Sequence, residues 1–223
     1  VNAEDSAAQL REALAEFPVE AFRTVAGAGE ATLEIKKSEF IGVIAPAATE
    51  EEARRIIDEQ KQLHPKARHW CTAYVLGPDA RTQRSNDDGE PAGTAGAPIL
   101  DVLGGSGLTD VVAVVTRYFG GVLLGAGGLV RAYGSTASEA LAQTKIITRN
   151  LIVPVSARLD YSTADTVRAR AEQRGWKIID AEYAADVTMH AGVPADDVDD
   201  YARMLADISA GSAQPIIGTP RYV

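Results

Sequence analysis

The sequence predicts an α+β protein: an N-terminal α/β domain followed by a C-terminal ferredoxin-like domain of β-α-β-β-α-β order. Three observations carry this. Residues 111–116 read VVAVVT, an uninterrupted β-branched run suited to a central strand buried on both faces. After Lys145 the pattern changes, and Leu151, Val153, Val155, Ala157, Leu159 and Tyr161 alternate with more polar neighbours, the period of a strand with one buried face. In both halves, segments with helical spacing of apolar residues separate the strands. The divisions expected are an N-terminal helical extension over 1–26, a first domain over 27–145 and a second over 146–223.

Residues 1–17 predict a short helix, with a capping-box pattern at Ser6 and Gln9 and with Leu10, Leu14 and Phe17 on one face. AGAGEA (26–31) reads as a flexible break. From Thr32, Leu33 and Ile35 alternate with polar residues and FIGVIA continues the strand pattern. Thr49 with Glu52 opens a helix carrying Ala53, Ile56, Ile57 and Leu63, and Pro65 stops it. WCTAYVL (70–76) is a strand, residues 77–93 a polar loop, and 94–103 a helix followed by Gly104 and Gly105. The VVAVVT strand then leads through a glycine-rich stretch into a helix that runs to about Gln143, with Leu129, Tyr133, Ala137 and Leu141 on one face.

In the second half, Thr163 is the expected cap of a helix ending at Gly175. Residues 176–183 and 185–191 read as strands. Pro194 starts a helix with Val198, Tyr201, Leu205 and Ile208 inward, and QPIIG is a last short strand.

Net charge is −9, shared evenly: residues 1–26, 27–145 and 146–223 carry 2, 12 and 8 basic against 5, 15 and 11 acidic groups. No part is a generally basic nucleic-acid module, although a local patch is compatible with these counts. The single Cys71 excludes an internal disulfide framework and fits a reducing cytosol, so a cytoplasmic location is expected. No apolar run approaches the ~18 residues of a membrane span, and no signal peptide is evident.

Twelve of the 20 glycines lie between Gly89 and Gly134, which directs attention to two stretches. The first is TRYFGGVLLGAGGLVRAYG (116–134). Its GAGGLV only imitates a dinucleotide-binding fingerprint, since Val130 stands where the third glycine belongs. A glycine-rich turn into a helix start can cradle an anion on free N–H groups, with Gly120, Gly121, Gly125, Gly127 and Gly128 supplying close approach and Arg117 and Arg131 flanking. The alternative is packing, with the glycines letting the helix approach the sheet. The second stretch is SNDDGEPAGTAGAP (85–98), where Asp87, Asp88 and Glu90 crowd three carboxylates ahead of Thr94 and a helix. These could hold Mg²⁺ with water and a phosphate, or form an ordinary solvated turn with capping carboxylates. If both stretches precede helices on one side of a sheet, they share a cleft. His64 and His69 have poor metal spacing, and His69 reads as a hydrogen-bonded edge residue; Cys71 reads as core. His190 is expected to face solvent.

HPKARHWCTAYVLG, RSNDDGEPAGTAGAPILDVL and VVAVVTRYFGGVLLGAGGLVRAYGSTASEAL together resemble the IMPACT family, in particular its bacterial YigZ-type two-domain members. Arg117, Tyr118, Phe119, Gly120, Gly121 and Gly125 match one signature, and Ser85, Asp87, Asp88, Gly89, Glu90, Pro91, Gly93, Thr94, Ala95 and Gly96 match the other. The resemblance implies a first domain like the second domain of a small-subunit ribosomal protein. That superfamily also holds domain IV of elongation factor G and small-molecule kinases. It implies a second domain like domain V of elongation factor G.

The function it implies is that of a non-catalytic regulatory or binding protein of translation, contacting RNA, the ribosome or a translation factor through the Arg117–Gly128 and Asp87–Gly96 loops. Tyr118, Phe119 and His69 are then candidates for partner contact or base stacking. The alternative is a phosphate- or nucleotide-binding protein or enzyme using the glycine-rich helix start and an Mg²⁺-binding acidic loop. No cofactor other than that Mg²⁺ is expected, no catalytic residue is assigned, and no membrane partner is expected.

Overall fold

Seven of the eight residues of the central strand are buried, and the first unit is organised around it. The computed structural model describes residues 3–223, with side chains from Gln9 onward. In chain order the elements are α1 (Ala3–Leu14), β1 (Ala21–Val25), β2 (Gly29–Ile35), β3 (Ser38–Pro46), α2 (Glu50–Leu63), β4 (His69–Leu76), β5 (Thr82–Asn86), α3 (Gly96–Ser106), β6 (Val111–Tyr118), α4 (Ala126–Ala142), β7 (Ile146–Leu159), α5 (Tyr161–Gln173), β8 (Lys177–Tyr183), β9 (Val187–Val193), α6 (Val198–Ile208), β10 (Ile216–Ile217) and β11 (Arg221–Tyr222). They group into two compact units, residues 22–149 and residues 1–21 with 150–223. No helix among the described residues is long and apolar enough to cross a membrane.

The first unit holds an antiparallel sheet in the order β2-β3-β6-β4-β5. The two-residue alternation of a strand gives β6 two buried faces. Val111, Ala113 and Val115 join Phe40, Ile99, Leu103, Leu129, Tyr133 and Ala137 in the core beneath α3 and α4. Val112 and Val114 join Ala53, Ile56 and Leu76 in the core beneath α2. Each fully buried valine stabilises by roughly 1.5–3 kcal/mol before entropy is counted. Thr49 caps α2 by accepting the Glu52 N–H at 3.2 Å, while Glu52 accepts the Ala48 N–H at 2.7 Å.

Helix α4 lies close to the sheet because two strand residues lack a side chain. A Cβ on Gly29 would stand 2.6 Å from the Ala140 carbonyl oxygen, and one on Gly42 2.8 Å from Thr136 Cγ2. With Tyr133 edge-on to Phe40 at 5.2 Å, these contacts fix the direction of α4. Its C-terminal half lies over Gly29 and Gly42 of β2 and β3.

The second unit is ferredoxin-like. In its sheet β9 lies between β8 and β7, and the short β10 and β11 both pair with β7, each of these pairings antiparallel. Val153, Val155, Ala157 and Leu159 of β7 and Val187, Met189, Ala191 and Val193 of β9 bury one face against Val167, Ala171, Tyr201 and Leu205 of α5 and α6. Leu10 and Leu14 of α1 pack against this core, and Phe17 meets Tyr222 edge-on at 5.5 Å.

Several elements differ from expectation. The first helix begins at Ala3, so Ser6 lies inside it, and the Ser6 side chain is outside the described residues. The break at 26–31 is shorter, because Gly29–Ala31 pair with Gly42–Ile44, and β1 carried no strand signal of its own. Thr82–Asn86 of the polar loop is an edge strand, polar because it pairs on one side only. Gly104 and Gly105 fall within α3, where a Cβ would meet nothing, and the helix ends at left-handed Gly107. Asp160, not Thr163, caps α5: its carboxylate accepts from the Thr163 N–H, the Thr163 hydroxyl and the Ser162 hydroxyl. Tyr161 therefore starts that helix at the surface and does not end β7. Residues 195–197 form a 3₁₀ turn before α6, and His190 is half-buried with Nε2 3.6 Å from Glu182.

Gly42→Ala should lower stability by about 1–3 kcal/mol through overpacking against Thr136, read as a lower urea midpoint with unchanged slope. An unchanged midpoint would show that α4 is free to shift away from the sheet.

Candidate functional site

The two glycine-rich stretches meet at the end of β6, on the face covered by α3 and α4. Beyond β5 the Asn86 side chain accepts the Asp88 N–H at 2.8 Å. Asp88 and Gly89 then take the left-handed conformation, at φ 44° and 86°. This tight turn delivers Glu90 to the interior.

The Glu90 side chain is 5 % exposed, and that of Arg117 is 6 % exposed. Glu90 Oε1 accepts from Arg117 Nη1 and from the Tyr133 hydroxyl, each at 2.6 Å. Arg117 Nη2 donates to Ser38 Oγ at 3.3 Å, and its guanidinium lies 5.3 Å from the Phe40 ring. Arg117 Nε has no hydrogen-bond partner among the described residues. Burial, then the neighbouring Cys71 and Glu90, push the Tyr133 hydroxyl far above its ordinary value, so it stays a proton donor. Burial pushes the Cys71 thiol up to about 12, which leaves it protonated and unreactive.

The other carboxylates of the acidic loop point elsewhere. Asp87 accepts the N–H groups of Gly93, Ala95 and Gly96 at 2.8, 3.0 and 2.8 Å, capping α3, whose own N-cap residue Ala95 offers no side-chain oxygen. Burial raises the Asp87 pKa, but the three N–H donors outweigh it and the net shift is downward. Asp88 Oδ2 accepts the Trp70 N–H at 2.7 Å. The Asp88 carbonyl lies 2.8 Å from His69 Nδ1, so that nitrogen carries the proton and Nε2 faces Glu90 at 4.0 Å. Among the described residues no group of three or more His, Cys, Asp or Glu side chains is placed to hold a metal ion. Thr94 is buried and donates to the Pro91 carbonyl at 2.6 Å.

The glycines of 120–128 serve different ends. A Cβ on Gly120 would stand 1.8 Å from the Lys37 carbonyl oxygen, and the Gly120 N–H donates to Ser38. Gly121 and Gly125 have φ of 82° and 73°. A Cβ on Gly128 would meet only Leu124, and one on Gly127 would meet nothing. Gly125, Gly127 and Gly128 therefore do not bring α4 to the sheet; Gly29 and Gly42 do. The start of α4 has no side-chain cap, and Arg131 is exposed one turn beyond Gly127. Tyr118 turns to the other face, its hydroxyl 3.1 Å from His64 Nδ1. Phe119 stays near the surface between Arg68 and Arg117, at 5.6 and 5.4 Å.

Sequence reasoning assigned Tyr133 to an apolar face and passed over Ser38 and Phe40. A buried tyrosine needs a partner for its hydroxyl, and that rule was the available signal for Tyr133. Ser38 had none, because its position under Arg117 depends on strand pairing distant in sequence.

The model of the Impact N-terminal domain matches residues 36–141, and that of a domain of unknown function, DUF1949, matches residues 158–212. The IMPACT family member YigZ of Escherichia coli is 42 % identical over 183 residues, 81 % of this chain and 90 % of the relative. This chain belongs to the IMPACT family. The family member YvyE of Bacillus subtilis is 36 % identical over 200 residues, 90 % of this chain and 92 % of its own length. A crystal structure of a hypothetical protein is similar with a TM-score of 0.62 at 39 % identity, covering 89 % of this chain and 97 % of the other.

Glu90→Ala should cost about 3–5 kcal/mol, because it leaves the Arg117 charge buried and unpaired; a loss below ~1 kcal/mol would contradict the burial. Gly127→Ala should stabilise by about 0.5–1 kcal/mol, while Gly120→Ala destabilises; both are read from urea midpoints. The lowered Asp87 pKa stabilises the fold fully above the unfolded value of about 3.9, and this is lost as pH falls through the folded value. Asp87→Ala should therefore flatten the acid limb of stability against pH below about 4, and an unchanged limb would show that the carboxylate does not hold the cap.

Proposed function

We propose that this IMPACT family member is a non-catalytic binding protein of the translation machinery. Its docking surface is the loop 119–124 with the first turns of α4. One observation carries the reading: Leu123 is 82 % exposed, with Phe119, Val122 and Val130 each about 40 % exposed around it. Isolated exposed apolar residues are ordinary, but four within twelve positions around an open helix start suit an interface. Beneath it, Arg117 Nη1 and the Tyr133 hydroxyl are committed to Glu90, which itself is held inside. They support the loop and are not offered to a substrate. The resemblance to the IMPACT family implies domains like parts of elongation factor G, and that implication is the ground for placing the partner in translation.

A protein partner fits better than RNA. The chain carries net charge −9, and two arginines of its own sit beside the Phe119 ring on which a base would stack.

The second reading, a phosphate held at the start of α4, is favoured by the absent side-chain cap and the open space beside Gly125 and Gly127. A thermal-shift screen with nucleotides and phosphorylated metabolites tests it. A compound at 100 times its Kd should stabilise by about 2.7 kcal/mol, and no shift with any of them ends that reading.

Leu123→Asp should leave stability within about 0.5 kcal/mol, as for an exposed site. It should abolish co-sedimentation with ribosomes and translation factors at low salt. If the unmodified protein associates with no component of the translation machinery, the proposed function is wrong.

A further inference from the structure

The surface around the loop 119–124 is locally cationic in an acidic protein. Lys36 and Lys37 form the β2–β3 turn, both with left-handed backbone, and both are exposed. Gly120 sits directly on the Lys37 carbonyl, so this turn adjoins the apolar loop. On the other side, the Arg68 N–H donates to the Arg117 carbonyl at 3.1 Å and its exposed guanidinium lies over Phe119. Arg131 is exposed in the second turn of α4, the helix that follows the apolar loop in sequence. None of Lys36, Lys37, Arg68 and Arg131 makes an ion pair among the described residues. Elsewhere Arg54, Arg55, Arg81, Arg158, Arg174 and Arg203 are paired with carboxylates, while Lys61, Lys66, Lys145, Arg170 and Lys177 are also without an ion pair among the described residues, so the four cations are set apart by their position around the apolar loop. The nearest exposed acids along the hairpin are Glu34 and Glu39, which oppose each other across β2 and β3. Glu90 is already committed to Arg117.

We infer that this surface takes an acidic segment of a partner protein that carries large apolar side chains. The inference rests on the docking surface proposed above and gives the partner its chemistry. Leu123, Val122 and Val130 supply the apolar contact that anchors such a segment, and the unpaired cations supply attraction and orientation around it. Rim charges of this kind act chiefly through association rate and salt dependence. RNA would use the cations but not the exposed leucine and valines, and the Phe119 ring is already engaged by Arg68.

The test uses fluorescence anisotropy with the full chain and three labelled probes: an acidic peptide of Glu and Asp interspersed with Leu and Phe, the same peptide with Lys and Arg replacing the acids, and oligo(U) RNA. The acidic peptide is expected to bind, more weakly as salt rises, and the charge-reversed peptide not to bind. Lys36→Glu with Lys37→Glu should weaken acidic-peptide binding at least about tenfold and reduce its salt dependence. Leu123→Asp should weaken it similarly, while Lys61→Glu on α2 should not. Equal binding of both peptides, no binding of either, or preferential binding of oligo(U) through the same residues overturns the inference. Co-sedimentation with the translation machinery, measured in parallel, separates the two claims. If it persists and depends on Leu123 while the acidic peptide fails, the partner's chemistry is wrong and the docking surface stands. If both fail, the docking surface falls too.

Discussion

A single carboxylate oxygen, Glu90 Oε1, receives two donors in the interior of the first unit and ties three separate parts of the chain together. Arg117 comes from the end of the central strand, Tyr133 from the middle of α4 and Glu90 from the loop ahead of α3. Ion pairs of this kind gain little over apolar residues of the same volume, because both charges lose water. Their consequence here is positional. With Glu90 held inward, the preceding turn is fixed, Asp87 reaches the start of α3 and Asp88 reaches the edge of β4. Ser38 and Phe40 complete the enclosure of the guanidinium from β3.

This brace separates what is internal from what faces outward. The charged residues that most resemble catalytic groups, Arg117 and Glu90, neutralise each other below the surface. The residues that follow Arg117 in sequence emerge at once: Phe119 at the rim, then Val122 and Leu123 in solvent. A rigid base under an apolar loop suits recognition, since little ordering of the loop's anchor points remains to oppose binding. In the proposed docking, the unpaired cations on the neighbouring hairpin turn and on α4 would set which partner is attracted.

Much of the fold was legible because burial writes a period into sequence. The two-faced burial of β6, the Thr49 cap and the β-α-β-β-α-β order of the second unit follow from local pattern. The edge strand Thr82–Asn86 did not show, because its polar residues answer to pairing with β4 and not to a core. Gly104 and Gly105 looked like a helix end but lie inside α3 on an open side. In the candidate site, the prominence of the two stretches was legible, as was the idea that they meet. The outcome of the meeting was not. That Asp87 caps, that Asp88 holds β4 and that Glu90 turns inward all depend on one left-handed turn at Asp88–Gly89. The reason for the close approach of α4 lay outside the glycine-rich stretch altogether, at Gly29 and Gly42.

The claim on which the account rests is that Arg117 and Glu90 act on each other and not on a ligand. A double-mutant cycle of Arg117→Met and Glu90→Gln, with stabilities from urea denaturation, measures this directly; glutamine keeps an acceptor for Tyr133. The account predicts a coupling of at least about 2 kcal/mol, with the double variant losing far less than the two single losses together. Additivity to within about 0.5 kcal/mol would contradict it and return both residues to the list of groups free to contact a partner.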